Sequence, residues 1–294
     1  VPMILTCPVC EAPLDFADLE PLIQVSCPSC GAEVVAPGRI GDFSLIEVAG
    51  RGGMGVVYRA HDPSLDRDIA IKLLRRDHSN NEALIQQLEG EAGITASVTH
   101  PNVVRVFSTG TDHGRFFIAM EIVDKGSLDD LIKMQGRIAE MQALDIGIGI
   151  ARGLRAAQQA GLIHRDVKPG NILFADARTP KIVDFGLAIF MNQAEEASQE
   201  IWGTPYYLAP EKLENEPEEH RSDISSLGAT LFHALAGRPP FEAENATPVA
   251  LKHLKSRAVS LQAFAPHVSN ATAYVINKTL QKAPEDRFQT YDEL

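Results

Sequence analysis

Gly50-Arg51-Gly52-Gly53-Met54-Gly55 stands between two segments that read as strands, residues 43–49 before it and residues 56–60 after it. A Gly-x-Gly-x-x-Gly run on its own most often suggests a dinucleotide site, in which the glycines open a helix. Here the β-branched run Val56-Val57-Tyr58 follows instead. The glycines must therefore turn a hairpin, and the backbone N–H groups of such a hairpin can cover phosphates.

The next strand, residues 67–74, contains Ala70-Ile71-Lys72. A lysine embedded in an apolar strand is costly unless its ammonium meets anions. Glu91 lies further on in a helix-like segment, residues 81–98, that ends before His100-Pro101-Asn102. A Lys72–Glu91 pair would hold the lysine over phosphates. Glu82 and Glu89 compete for that role, but the distance to His100-Pro101 favours Glu91. The alternative for each is a solvated helix face.

A second constellation follows a helix-period segment, residues 139–160, which Gly147, Gly149 and Gly153 weaken so that burial must hold it. It reads Ile163-His164-Arg165-Asp166-Val167-Lys168-Pro169-Gly170-Asn171, with Asp184-Phe185-Gly186 after a short gap. Two acids, a lysine and an asparagine at these spacings can hold a magnesium nucleotide against a hydroxyl nucleophile, because hard oxygen ligands suit a hard cation that shares phosphate oxygens. Any one of them alone reads as a turn cap.

The chain has 294 residues, 45% of them hydrophobic, enough for one large core or two ordinary domains. Its formal net charge of −12 counts against nucleic-acid binding, which relies on basic patches. No apolar run of about 18 residues and no basic-then-apolar leader are present, so neither a membrane segment nor a signal peptide is expected, and the location expected is cytoplasmic. Residues 291–294 read as part of a helix, which is compatible with further sequence carrying an anchor or sensor.

All four cysteines fall in the first 30 residues, as Cys7-Pro8-Val9-Cys10 and Cys27-Pro28-Ser29-Cys30. This spacing suits a four-thiolate zinc site. Leu14, Phe16, Leu19, Leu22, Ile23 and Val25 are too few to hold the segment together without a staple. Two disulfides are the alternative, disfavoured in a reducing compartment. The segment resembles a zinc ribbon, although Glu11 follows the first knuckle where Gly31 follows the second. The expected organisation is a module over residues 1–36, a Pro/Gly-punctuated linker over 37–41, and a second domain from 42 onward. The first 40 residues hold a single arginine and no lysine, so a protein partner or intramolecular regulation ranks above nucleic acid as the module's role.

With these motifs in this order, residues 42–294 resemble a bacterial (Hanks-type) serine/threonine protein kinase domain. The resemblance implies an α+β, bilobal fold: a small β-rich lobe over 42–121, a hinge over 121–125 and a larger helical lobe over 126–294. It implies ATP with Mg2+ or Mn2+ as cofactors, proteins with serine or threonine acceptors as substrates, and autophosphorylation in signalling. Gly50, Arg51, Gly52, Gly53 and Gly55 would cover the phosphates, and Val57, Ala70 and Leu173 would sandwich adenine. Met120 would be the gatekeeper, with the Glu121 and Val123 backbone on the base. Asp166 would orient the acceptor hydroxyl, Lys168 would neutralise charge, and Asn171 and Asp184 would hold magnesium.

The same resemblance makes Arg165 a phosphate receptor for the loop after Asp184, whose one hydroxyl before Gly203 is Ser198, flanked by Glu195, Glu196 and Glu200. Either Ser198 is phosphorylated or the acidic run substitutes for phosphate. Thr204 would bond toward Asp166 and Lys168, Glu211 would pair with Arg287, and Asp223 would anchor the catalytic loop and open a helix through Ala236. Thr95, where the family usually has a leucine-like residue packing toward Phe185, implies a weakly braced helix. Further helices are implied over 249–254 and 271–281 and from 290 onward. A nucleotide-binding scaffold without catalysis is the alternative, and intact Lys72, Asp166, Asn171 and Asp184 count against it.

Overall fold

The computed structural model describes residues 4–16, 19–53, 55–75, 82–185, 206–242, 246–255 and 259–294. The chain forms two compact units, Val1–Glu89 with Val106–Ile122, and Gly90–Arg105 with Val123–Leu294.

The first unit begins with two short antiparallel hairpins, β1 (Ile4–Thr6) on β2 (Pro13–Asp15) and β3 (Gln24–Ser26) on β4 (Glu33–Val35). A cysteine pair sits in the turn of each. Six further strands follow: β5 (Arg39–Ile40), β6 (Phe43–Gly52), β7 (Gly55–Asp62), β8 (Arg67–Leu74), β9 (Val106–Asp112) and β10 (Arg115–Met120). They form one antiparallel sheet in the order β5-β6-β7-β8-β10-β9. The stretch expected as a linker thus supplies the edge strand β5, because Ile40 buries its side chain in the sheet's core. The glycine turn is also tighter than the sequence suggests, with pairing carried to Gly52 opposite Gly55.

Register divides this sheet into two faces. Lys72 lies opposite Val57 and Ile118, and Ala70 opposite Met120, so Val57, Ala70, Lys72 and Met120 share one face. The other face carries Tyr58, Ile69, Ile71, Leu73, Phe117 and Ala119, which make the unit's apolar core.

The helix α1 (Glu82–Ser97) leads toward the second unit. There α2 (Leu128–Gln135) starts at Ser127, whose hydroxyl accepts from the Asp130 N–H while the Asp130 carboxylate accepts from the Ser127 N–H. Next come α3 (Glu140–Gln159), the two-stranded β11 (Ile172–Phe174) and β12 (Pro180–Ile182), α4 (Pro210–Leu213) and α5 (His220–Ala236). The long α5 ends on Gly237 in the left-handed region, φ 72°. Three helices complete the unit: α6 (Ala246–Lys255), α7 (Leu261–Phe264) and α8 (Asn270–Thr279). The glycines of α3 are explained by close packing: a Cβ at Gly147 would lie 2.7 Å from Leu231, and one at Gly153 would lie 2.9 Å from the Asn102 carbonyl. Residues 291–293 form a turn, with the Leu294 N–H donating to the Thr290 carbonyl at 3.3 Å.

Candidate active site and metal centre

In the second unit, the loop after α3 is fixed from below by Asp223 at the start of α5. The His164 and Arg165 N–H groups donate to its two carboxylate oxygens at 2.8 and 2.7 Å. Asp223 is buried, and burial raises its carboxyl above the ordinary range against the opposing pull of His164 and those N–H groups. This clamp holds Arg165 at φ 67°, a left-handed conformation that costs energy for a non-glycine residue. The buried His164 ring bonds the Val183 carbonyl through Nε2 at 2.8 Å and meets the Phe185 ring edge-on with centroids 4.7 Å apart.

Above this clamp, Asp166 Oδ2 accepts from Lys168 Nζ at 2.7 Å and from Asn171 Nδ2 at 2.9 Å. Asn171 Nδ2 also reaches the Asp166 carbonyl at 2.8 Å, and Val183 N–H donates to the Asn171 carbonyl at 3.0 Å. Asp184 follows directly, itself at φ 68°. A carboxylate bracketed by an ammonium and an amide, with a second carboxylate on the neighbouring strand end, can orient a hydroxyl and share phosphate oxygens with a hard cation. Leu173 is half-buried on β11, in a bridge with Ser127.

Within the second unit Glu91 meets Arg165, with Nη1 3.6 Å from Oε1, while Oε2 is buried without a hydrogen-bond partner among the described residues. Burial raises the Glu91 carboxyl above its ordinary value, and Arg165 opposes that rise. Glu89, the rival in sequence, is exposed. Thr95 is buried, and its hydroxyl is satisfied by the Glu91 carbonyl at 2.8 Å, which is how a threonine occupies this apolar position. Two residues that sequence reasoning passed over complete the surroundings of Arg165. Lys212 Nζ donates to the Arg165 carbonyl at 3.3 Å and lies 3.8 Å from Glu218, both side chains being largely buried. The position of Lys212 just after Pro210-Glu211 was the available signal.

Glu211 and Arg287 form a bidentate pair at 2.7 Å for each contact, and Arg287 also donates to the carbonyls of Gln281, Arg221 and Lys282. Burial alone would raise the Glu211 carboxyl, but Arg287 and the Ser222 hydroxyl bring it below its ordinary value. Gly186, Ser198 and Thr204 lie outside the described residues.

In the first unit, Lys72 is buried within the apolar strand β8. Gly55 is required by the fold, since a Cβ there would lie 2.2 Å from the Leu73 carbonyl. A Cβ at Gly50, Gly52 or Gly53 would have no atom of the described residues within 4 Å, so packing among those residues does not demand glycine there. Arg51 is exposed on the same hairpin, and Met120 and Glu121 end β10 and follow it. Val123 opens the return of the chain into the second unit.

The cysteine knuckles also converge. The four sulfurs lie within 4.8 Å of one another, with Cys7–Cys30 and Cys10–Cys27 each at 3.7 Å. A tetrahedron of sulfurs about 2.3 Å from zinc has an edge of about 3.8 Å, whereas a disulfide requires about 2.05 Å. Backbone N–H groups of Val9 and Cys10 lower the Cys7 thiol to about 6, while the neighbouring sulfurs of Cys10, Cys27 and Cys7, with burial, push Cys30 up to about 12. Glu11 adopts the same left-handed turn as Gly31, φ 60° against 72°, so the departure at this position leaves the knuckle geometry intact.

A lysine in an antiparallel sheet and a loop that brackets one carboxylate between lysine and asparagine are parts that phosphoryl transfer can use, since that chemistry depends on positioning and charge neutralisation. Residues 43–294 match the protein kinase domain family, and the chain belongs to that family. It is 34% identical over 255 residues to the serine/threonine-protein kinase PrkC of Bacillus subtilis, covering 86% of this chain and 39% of that protein. To the serine/threonine-protein kinase PknB of Mycobacterium tuberculosis it is 34% identical over 269 residues, covering 89% and 43%. The crystal structure of the Mycobacterium tuberculosis PknI kinase domain superposes with a TM-score of 0.71 at 25% identity, covering 88% of this chain and 96% of that one. The chain spans about two fifths of the length of the curated relatives it matches.

Proposed function

We propose that the chain is an ATP- and magnesium-dependent protein kinase that phosphorylates serine and threonine side chains, its own included, in a signalling role. The observation that carries this reading is the bracketing of Asp166 by Lys168 and Asn171. Asp166 accepts the hydrogen bond of the acceptor hydroxyl and takes its proton as the oxygen bonds to the γ-phosphorus and the bond to the β,γ-bridging oxygen breaks. Lys168 neutralises charge on the transferred group. Asn171 and Asp184 hold Mg2+ or Mn2+, which when bound screens the phosphate oxygens. Lys72 meets the phosphates, the backbone of residues 50–55 covers them, and Val57, Ala70, Leu173, Met120, Glu121 and Val123 take the adenine. The four cysteines hold a structural Zn2+.

The test uses γ-labelled ATP with Mg2+ and peptides that each carry a single serine, threonine or tyrosine. Label on serine and threonine peptides, lost on chelation of magnesium, is the expected result. Label confined to tyrosine would overturn the acceptor assignment. Nucleotide binding without any transfer would favour the scaffold reading.

Control of this site falls on Arg165. Its present partner is the Glu91 carboxylate, held on a helix whose Thr95 adds little apolar bracing. A doubly charged phosphate on Ser198 would compete with Glu91 for the guanidinium. Ser198→Ala is therefore expected to lower turnover, read alongside phosphosite mapping of the unmutated protein. Unchanged turnover would assign the competing charge to Glu195, Glu196 and Glu200.

A further inference from the structure

The core face of the six-stranded sheet, opposite the face that carries Lys72, is where the cysteine module sits. Arg115, at the start of β10, is only 3% exposed. Its Nε and Nη2 donate to the Leu74 carbonyl at 3.2 and 2.9 Å, and its Nη1 meets Glu20 Oε2 at 2.9 Å. Glu20 belongs to the turn between the two cysteine hairpins. A buried guanidinium needs an anion, and Glu20 is the one that the described residues supply. The fully buried Tyr58 also turns its hydroxyl to this turn, 3.3 Å from Glu20 Oε2 and 3.4 Å from the Pro21 carbonyl. Leu22, held at φ 63°, packs on the sheet's core in a slot left by Gly38, where a Cβ would lie 2.5 Å from the Leu22 Cδ2.

We infer that the Glu20–Leu22 turn is a fixed intramolecular dock on this sheet, and that through Arg115 it couples metal binding at the four cysteines to order at the C-terminal end of the Lys72 strand. The inference rests on the zinc reading of the cysteine site. The module's own core is Cys7, Leu14, Phe16, Cys27 and Ala36 with a few half-buried neighbours, too small to hold its shape without a metal. Loss of the ion releases Glu20, and Arg115 then remains buried against the sheet with its charge unmatched. Arg115 acts on Leu74, two residues beyond Lys72 on β8, so its effect on catalysis is one of positioning. Coupling of this kind is reciprocal: whatever the ion does for the strand, the strand's contacts do for the ion. The module is on this view part of the small sheet's architecture and not a detached recruiting arm.

The test measures two quantities on the full chain: zinc affinity, by competition with a chromogenic chelator, and hydrogen exchange at residues 70–75 with and without chelation. Glu20→Gln and Arg115→Met are each expected to weaken zinc binding by about 5- to 50-fold. The double variant is expected to be no weaker than Arg115→Met alone, because both changes break one contact. Chelation of the unmutated protein is expected to speed exchange at residues 70–75, and much less so in Glu20→Gln. Because Glu20 lies on the module side and is partly exposed, its variant reports even if Arg115→Met fails to fold. Zinc affinity unchanged in Glu20→Gln, or exchange at residues 70–75 indifferent to chelation, overturns the coupling. Failure of the unmutated protein to bind zinc at all overturns the metal reading and the coupling with it.

Discussion

Asp166→Asn is expected to lower the turnover of phosphoryl transfer by about 10²- to 10⁴-fold while leaving nucleotide affinity near that of the unmutated chain. The asparagine keeps the size of the side chain and can still accept from Asn171 Nδ2, so the loop's hydrogen bonding survives at one of its two donors. What it loses is the charge that pairs with Lys168 and the basicity that takes the acceptor's proton. The clamp below, from His164 and Arg165 to Asp223, does not involve the Asp166 side chain and stays in place. Steady-state rates with labelled ATP and a fluorescent-nucleotide titration separate the two quantities. Equal turnover in the two proteins would rule out Asp166 as the group acting on the acceptor, and the activity would have to be assigned to another residue.

Arg287→Met is expected to produce the largest loss of stability, on the order of 3–5 kcal/mol, because it strands the Glu211 carboxylate in a buried setting. In a unit of this size each kcal/mol moves the melting temperature by about 2–4 °C, so a fall of roughly 6–20 °C is expected in thermal unfolding. Part of the loss is a stranding cost and not the worth of the pair. Removing both charges, as in Glu211→Met with Arg287→Met, is therefore expected to recover some of it. The pair also sets a pH window. Glu211 is held below its ordinary value of 4.5, so its contribution is fully present above that pH and is lost as pH falls below it, through the lowered value. Arg287→Met should accordingly show a flatter loss of stability on acidification through that range. A double variant no more stable than Arg287→Met, with an unchanged acid profile, would show that Glu211 is not the group stranded.

The motifs legible in the sequence are those whose chemistry is local. Asp166, Lys168 and Asn171 lie within six residues of one another, and the turn that brings their side chains together is made by the same residues, Pro169–Asn171 forming a single tight helical turn. The cysteine knuckles are legible for the same reason, each pair spanning one turn. The partner of Glu91 was not legible, because several cations follow it and only the placing of α1 beside the catalytic loop selects Arg165. The strand at 39–40 was obscured by its flanking Pro37, Gly38 and Gly41, which read as linker until the sheet offers Ile40 a place to bury.

Arg115 and Glu20 make the same point at longer range, since 95 residues separate the two ends of that contact. Nothing in the run Arg115-Phe116-Phe117-Ile118-Ala119-Met120 distinguishes a strand-end arginine facing water from one sealed beneath another module. What the sequence determined by itself is local: a glycine hairpin, a lysine in a strand, a bracketed acid and two paired-cysteine turns, all set by residue type and short spacing. What the tertiary structure alone decided is which charges meet across the chain, Glu91 with Arg165 and Arg115 with Glu20. A buried charge takes the partner that the fold brings within about 4 Å, and spacing along the chain carries no record of that distance.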